Sequence, residues 1–227
     1  MDAGLKAEVA VHLGGFLATE RRARIEAVLA QRTRCLTAML EDIFQPHNAS
    51  AVLRSCECFG LQDVHIVEQR YAYRVNPAVA LGASQWLDLF HYCEPGVNNT
   101  AHCLEALRGA GYTLVAATPN QHDCLLDELR LEGRMAILLG TEEEGLSDQA
   151  LQAAQVRVQI PMYGFTRSFN LSVSAALILR ELTRQLRASH QDWGLSEAEK
   201  LELRLKWYRR DVRGSELIEE RFLRSRS

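Results

Sequence analysis

The sequence predicts an α/β fold, a largely parallel sheet with helices on both faces. Two observations carry this. Short apolar runs of strand length alternate with segments of helical periodicity through the middle of the chain. The connections between strand runs are mostly too long for tight hairpins, which leaves helical crossovers between parallel strands.

The elements follow in order. Residues 20–34, ERRARIEAVLAQRTR, set Ile25, Val28 and Leu29 at helical spacing on a basic background, a short amphipathic helix. LTAMLEDI (36–43) reads as the first strand. NASAVLRSCECFG (48–60) reads as a helix with Asn48 near its start, a candidate N-cap, and Gly60 at its end. DVHIVE (63–68) and WLDLFHY (86–92) are strands, and AHCLEALRGAG (101–111) is a helix closed by glycine. YTLVAAT (112–118), MAILLG (135–140) and VRVQIP (156–161) are three more strands. SDQALQAAQ (147–155) is a helix between the last two, with Ser147 as cap. NLSVSAALILRELTRQLRA (170–188) is a long closing helix. SHQDWG (189–194) reads as a linker, and the tail beyond it is helical and basic, with Trp207 and Tyr208 among arginines.

At 227 residues the chain has room for one good-sized domain with appendages. Its longest apolar runs, such as SAALIL (174–179), fall far short of a membrane span, and the N-terminus lacks a compact apolar stretch after a basic start. Both features predict a cytosolic protein. Six cysteines (35, 56, 58, 93, 103 and 124) form no C-x-x-C pair, so they read as small buried thiols rather than metal ligands. The net charge of −3 is unevenly spread. Residues 1–34 carry six basic and four acidic side chains, and residues 196–227 carry nine and seven, so each end is +2 and the middle is −7. Of the 26 basic residues, 23 are arginine, whose planar fork suits phosphate. Basic ends on an acidic core suggest a nucleic-acid partner, and solvated helix faces account for the same counts.

Ligands of parallel sheets gather at the carboxyl ends of strands. Four segments lie there: QPHNASAVLR, ATPN, GTEEEGLS and PMYGFTRSFN. Gly140 and Gly145 have the spacing of a phosphate loop, but Leu146 stands where its lysine belongs, and Glu142, Glu143 and Glu144 would repel a triphosphate. No G-x-G-x-x-G occurs, so a dinucleotide fold is also excluded. Asn48 and Arg54 stand six residues apart in the first segment. In the last, Ser168, Asn170 and Arg167 at the mouth of an apolar helix exceed what a cap requires.

Taken together, NASAVLR, LLGTEEEG and IPMYGFTRSFNLSVSAALIL resemble the three motifs of the SpoU-type ribose methyltransferases of the SPOUT superfamily, in order, over about 36–185. The resemblance implies a SPOUT domain over 36–188 with a deep trefoil knot at roughly 112–185. Basic helical extensions at 1–35 and 189–227 would flank it, as in the tRNA-type (TrmH) enzymes. It implies S-adenosylmethionine as cofactor, held at Thr118, Gly140, Ile160 and Phe169. Phe169 replaces the family's usual leucine, and Arg167 its usual glutamine or glutamate. The catalytic set would be Arg54, Asn48, Glu142, Ser168 and Asn170. No metal is implied, and family members are homodimers.

The implied reaction is tRNA (guanosine-18-2′-O)-methyl transfer in the D-loop. A ribose 2′-hydroxyl is a feeble nucleophile and must lose its proton as it attacks, in line with the methyl carbon and sulfur. Arginine is essentially never deprotonated, so Arg54 reads as a cation stabilising the developing alkoxide, with literal base action left open. RNA would dock through Arg21, Arg22, Arg24, Arg204, Arg209 and Arg210, with affinity falling steeply in salt. Trp207 and Tyr208 would either stack on a base or anchor the tail helix. Two alternatives stand beside this: 23S rRNA as substrate of the same chemistry, and a non-catalytic RNA-binding protein on the same scaffold.

Overall fold

The structure, a computed structural model, describes residues 1–73, 76–120 and 122–226. They form two compact units, one of Thr33–Trp193 and one of Met1–Arg32 with Gly194–Ser227. The strands are β1 (Leu36–Glu41), β2 (Asp63–Val67), β3 (Asp88–Tyr92), β4 (Tyr112–Ala117), β5 (Cys124–Leu125), β6 (Arg134–Leu139) and β7 (Val156–Gln159). The helices are α1 (Ala3–Gly14), α2 (Thr19–Leu29), α3 (Pro46–Cys58), α4 (Pro77–Ala80), α5 (Asn99–Gly109), α6 (Asp148–Ala153), α7 (Leu171–Ala188), α8 (Glu197–Asp211) and α9 (Ser215–Arg224).

Among the described residues the strands form one seven-stranded sheet in the order β3-β2-β1-β6-β4-β7-β5, parallel at every pairing. Alternate residues feed two cores. Ala38, Leu40, Val64, Ile66, Ile137 and Leu139 pack with Val52 and Leu53 of α3 and Ile178 and Leu179 of α7. Met39, Val67, Leu114, Ala116, Ala136 and Leu138 pack with Leu104 and Leu107 of α5 and Ala150 of α6. Burial on both faces is why MAILL is an unbroken apolar run and why LTAML has a single polar residue, Thr37, whose buried hydroxyl donates to the Asp63 carbonyl at 2.8 Å. The expected α/β class, parallel sheet and two-sided helical cover are all present.

Three local readings differ from the sequence expectation. Asn48 does not cap α3, because Pro46 takes the first helical position and Gln45 precedes it as cap residue. The proline starts the helix early and frees the Asn48 amide for other partners. Helix α1 falls within the helical extension expected over 1–35 but was not read as an element of its own, though Asp2 caps it by accepting the Leu5 N–H at 2.8 Å. The six cysteines are free but not uniformly buried: Cys58 and Cys93 are exposed. Burial pushes the Cys56 thiol up to about 12, so it stays protonated and unreactive.

In the terminal unit, Trp207 and Tyr208 are buried. The Arg32 guanidinium lies 5.4 Å from the Trp207 ring, and the Tyr208 hydroxyl donates to Glu26 at 3.0 Å. Both rings therefore serve packing, and neither offers a face to an RNA base.

The second core carries a pH dependence. His65 on β2 is buried against Phe90 and Tyr92, and burial lowers its imidazole to about 4. The unfolded chain protonates this histidine near its ordinary value of about 6.5, so acid favours unfolding between those two values. Stability is expected to fall by up to about 3 kcal/mol as pH drops from 6.5 towards 4. Urea unfolding of the protein and of His65→Gln across that range checks it: the variant should lack this part of the acid slope.

Candidate active site

The strand order reverses between β1 and β6, because the chain builds outward from β1 through β2 to β3 and then crosses to the other side. The crevice of such a sheet opens at the carboxyl ends of those two strands. Two loops emerge there, residues 42–45 after β1 and 140–147 after β6.

Asp42 ends β1 at a left-handed φ of 53°. Its Oδ1 accepts the backbone N–H groups of Gln69 (2.7 Å), Arg70 (2.8 Å) and Tyr71 (3.3 Å), which tie the loop after β2 to the first crevice loop. Asp is one of the few residues that tolerate this conformation. The neighbouring Glu41 is buried and accepts from Thr100 Oγ1 (2.7 Å), Ser147 N (2.9 Å) and Ser147 Oγ (2.8 Å). That carboxylate fixes the far end of the second loop. Ser147 caps α6 as expected, accepting the Ala150 N–H.

The glutamate-rich stretch is a closed loop. Thr141 and Gly145 exchange backbone hydrogen bonds at 3.0 and 3.1 Å, and Gly145 supplies a φ of 75°. Gly140 is packed so tightly that a β-carbon there would overlap the Gly145 carbonyl and the Leu146 nitrogen. Thus the two glycines shape a turn that presents Glu142, Glu143 and Glu144. Arg70 holds Glu144 at 2.5 Å and Asp42 at 3.2 Å. Glu41, Asp42 and Arg70 were missed in the sequence, although two consecutive acids ending an apolar strand are a legible signal at a carboxyl edge.

Three site residues from separate segments meet. Asn170 Nδ2 donates to Glu142 Oε1 at 2.5 Å and to Asn48 Oδ1 at 3.2 Å. Asn48 in turn donates to Gln45 Oε1 at 2.9 Å. Asn170 also caps α7, its Oδ1 accepting the Ser172 N–H at 2.9 Å and the Ser172 hydroxyl at 2.6 Å. One amide therefore starts a helix and joins the Glu142 loop to the first turn of α3.

A cleft of about 660 Å³ opens beside this cluster at the ends of β4, β6 and β7. Thr118, Gly140, Ile160 and Phe169 all line it, together with Glu142, Arg167 and Ser168. Ser168 is thus brought to the cleft but makes no hydrogen bond with the cluster. A smaller recess of about 160 Å³ lies across Glu142, walled by Phe44, Gln45, Asn48, Tyr71 and Glu143.

Arg54 is not brought to the cluster. It lies six residues beyond Asn48 on α3, which at about 100° per residue puts it roughly 120° round the helix. It is exposed, and its side chain makes no hydrogen bond or ion pair among the described residues. It lines neither cleft nor recess.

The six arginines expected at RNA divide. Arg21 pairs with Asp211, Arg204 with Glu26 (2.6 and 2.7 Å) and Arg209 with Glu219 (2.8 and 2.7 Å). The Arg204 guanidinium holds the Glu26 carboxyl below its usual range. Arg22, Arg24 and Arg210 are exposed, and the side chains of the first two have no hydrogen bond or ion pair among the described residues. No helix among the described residues is long and apolar enough to cross a membrane.

The profile of the SpoU rRNA Methylase family matches residues 36–180. A tRNA (guanosine(18)-2′-O)-methyltransferase of Borreliella burgdorferi is 45% identical over 207 residues, covering 91% of this chain and 93% of that protein. The crystal structure of the Aquifex aeolicus TrmH/SpoU tRNA modifying enzyme superposes with a TM-score of 0.75 at 25% identity, covering 86% of this chain and 98% of that one. The SpoU methyltransferase AviRb of Streptomyces viridochromogenes, in complex with the cofactor AdoMet, shares the fold at a TM-score of 0.60 and 24% identity, covering 76% and 66%.

Proposed function

Since the chain belongs to the SpoU methylase family, we propose that it methylates the ribose 2′-hydroxyl of a guanosine in tRNA, with S-adenosylmethionine as donor. The observation that carries this reading is the Asn48–Asn170–Glu142 cluster at the edge of the 660 Å³ cleft, built from three segments distant in sequence.

The cleft suits such a cofactor. Its volume is in the range of small-molecule sites. Its lining mixes Ile160, Met162, Phe169, Leu171 and Ile178 with the strand ends at Ala117, Thr118, Leu139 and Gly140, as an apolar ring edge and a polar sugar need. Bare Gly140 lets the backbone pass where a side chain would not. The resemblance places these loops in a deep trefoil knot, and that topology is part of the proposal. When bound, the cofactor supplies an electrophilic methyl carbon on a sulfonium.

The chain's own residues do the rest. Asn170, held between Glu142 and Asn48, fixes the wall against which the ribose sits. Ser168 and Arg167 line the cleft mouth. Arg54 supplies the cation that stabilises the oxyanion forming as the hydroxyl gives its proton to solvent water.

Arg54 stands away from the cluster of its own chain, which favours a homodimer in which it serves the partner's site. Exposed Val173 and Leu177, one turn apart on α7, and Phe169 beside them give an apolar face for that contact. Leu177→Arg is expected to yield a monomer in sedimentation velocity and to lose methyl transfer. The terminal unit, with Arg22, Arg24 and Arg210 exposed, is the proposed phosphate-docking surface.

The test of function is direct. Incubated with labelled S-adenosylmethionine and separate pools of tRNA and rRNA, the protein should label a single guanosine ribose in tRNA. Label in rRNA alone overturns the substrate.

A further inference from the structure

We propose that the recess walled by Phe44, Gln45, Asn48, Tyr71 and Glu143 receives the base of the nucleotide being methylated, with the Phe44 and Tyr71 rings as its stacking surface. This rests on the ribose-methylation reading above. Four features of the recess point to a base.

Two aromatic rings stand in solvent beside the catalytic cluster. Phe44 is 67% exposed and Tyr71 41%, with ring centroids 5.2 Å apart at 63°. They are also held in place. Both rings sit on loops joined by the Asp42 carboxylate, which accepts the Tyr71 N–H, and the Arg70 guanidinium lies 5.6 Å from the Tyr71 ring. A pre-set aromatic surface of this kind is what an unstacked base requires, and single-stranded RNA bases are commonly held on such faces.

Position gives the third feature. The recess and the cofactor cleft share Thr141, Glu142, Glu143, Glu144 and Leu171, so a base in one places its sugar beside the other. Size and polarity give the fourth. About 160 Å³ accommodates one planar ring system, and Gln45 and Glu143 offer acceptors to the N–H groups on a base edge. Enzymes that act on a single base hold it outside its stack, and a pocket beside the reaction centre would hold the target nucleotide in the same way.

The experiment is a double-mutant cycle between protein and RNA. Methyl transfer is measured for the protein and for Phe44→Ala, on tRNA and on the same tRNA carrying an abasic ribose at the target position. Phe44→Ala should raise KM for intact tRNA about tenfold, the scale of one lost base stack. The abasic RNA should impose a similar penalty on the unmodified protein and little further penalty on the variant. Phe44→Trp should restore most of the loss, and cofactor binding and sedimentation should not change. Equal slowing of Phe44→Ala on both RNAs overturns the inference, as does an unaltered KM or a changed oligomeric state. If the unmodified protein methylates no RNA ribose at all, the reading of function fails and this inference with it. If it does so and the variant behaves like it, the inference alone fails.

Discussion

Arg54→Ala is expected to lower methyl transfer by about a thousandfold or more while leaving S-adenosylmethionine binding and thermal stability nearly unchanged. The rate effect follows from charge. A ribose hydroxyl reacts only as it becomes an oxyanion, and losing even a single neutral donor to such an oxygen costs about 10²–10³ in kcat, so losing a fixed cation should cost at least as much. The stability effect follows from the structure. Arg54 is exposed and its side chain makes no hydrogen bond or ion pair among the described residues, so truncating it breaks none. Exposed substitutions of this kind usually change stability by less than about 0.5 kcal/mol. Cofactor binding should persist because the residue lies outside the cleft. Arg54→Lys should rescue little, since a point charge cannot grip both an oxyanion and a neighbouring phosphate as the planar fork does. Full activity in Arg54→Ala would end the catalytic assignment.

The same variant tests whether Arg54 works in its own chain or the partner's. Asn170→Ala breaks the cluster and Arg54→Ala removes the cation, so each variant alone should be inactive. If the chain forms the proposed homodimer, then after mixing in equal amounts and exchange half of the dimers contain one chain of each kind. If each site takes its cluster from one chain and its arginine from the other, one of the two sites in those mixed dimers is intact. About a quarter of the original activity should return. No recovery after demonstrated exchange would place both parts of the site in one chain.

Much of the fold was legible because the sheet is buried on both faces. LTAML, MAILL and YTLVAA had to be mostly apolar on both faces, and such runs stand out between helical segments. The two-residue strand β5 at the sheet edge left no comparable trace, since Cys124 and Leu125 are too few to show a period. The site was legible as a set of residues but not as a set of contacts. Motif spacing singled out Asn48, Glu142 and Asn170, yet only the fold shows that one amide bridges the other two. Arg54 was expected beside them, and helical phase puts it elsewhere. In the terminal unit a count of arginines could not reveal that Arg21, Arg204 and Arg209 each have an acidic partner there.

The second large effect is expected at Gly140. Gly140→Ala should destabilise the catalytic unit by about 3 kcal/mol or more and weaken S-adenosylmethionine binding at least tenfold. The added methyl group would overlap backbone, the Gly145 carbonyl and the Leu146 nitrogen, rather than a side chain that can swing away. Overpacking of this kind typically costs about 1–3 kcal/mol where neighbours can adjust, and more where they cannot. Here they are tied. Gly145 is bonded twice to Thr141, and the Ser147 N–H and hydroxyl are held by buried Glu41. To admit the methyl group the loop must abandon one of those anchors, and Glu142 moves with it away from Asn170. Gly145→Ala is the control. A β-carbon there meets nothing within 4 Å, and the only penalty is the left-handed φ of 75°, about 1–2 kcal/mol for a residue other than glycine. Calorimetric melting and cofactor titration of the two variants should therefore separate. A Gly140→Ala protein that melts and binds like Gly145→Ala would mean that the loop is not the rigid wall on which Glu142 and the cofactor cleft depend.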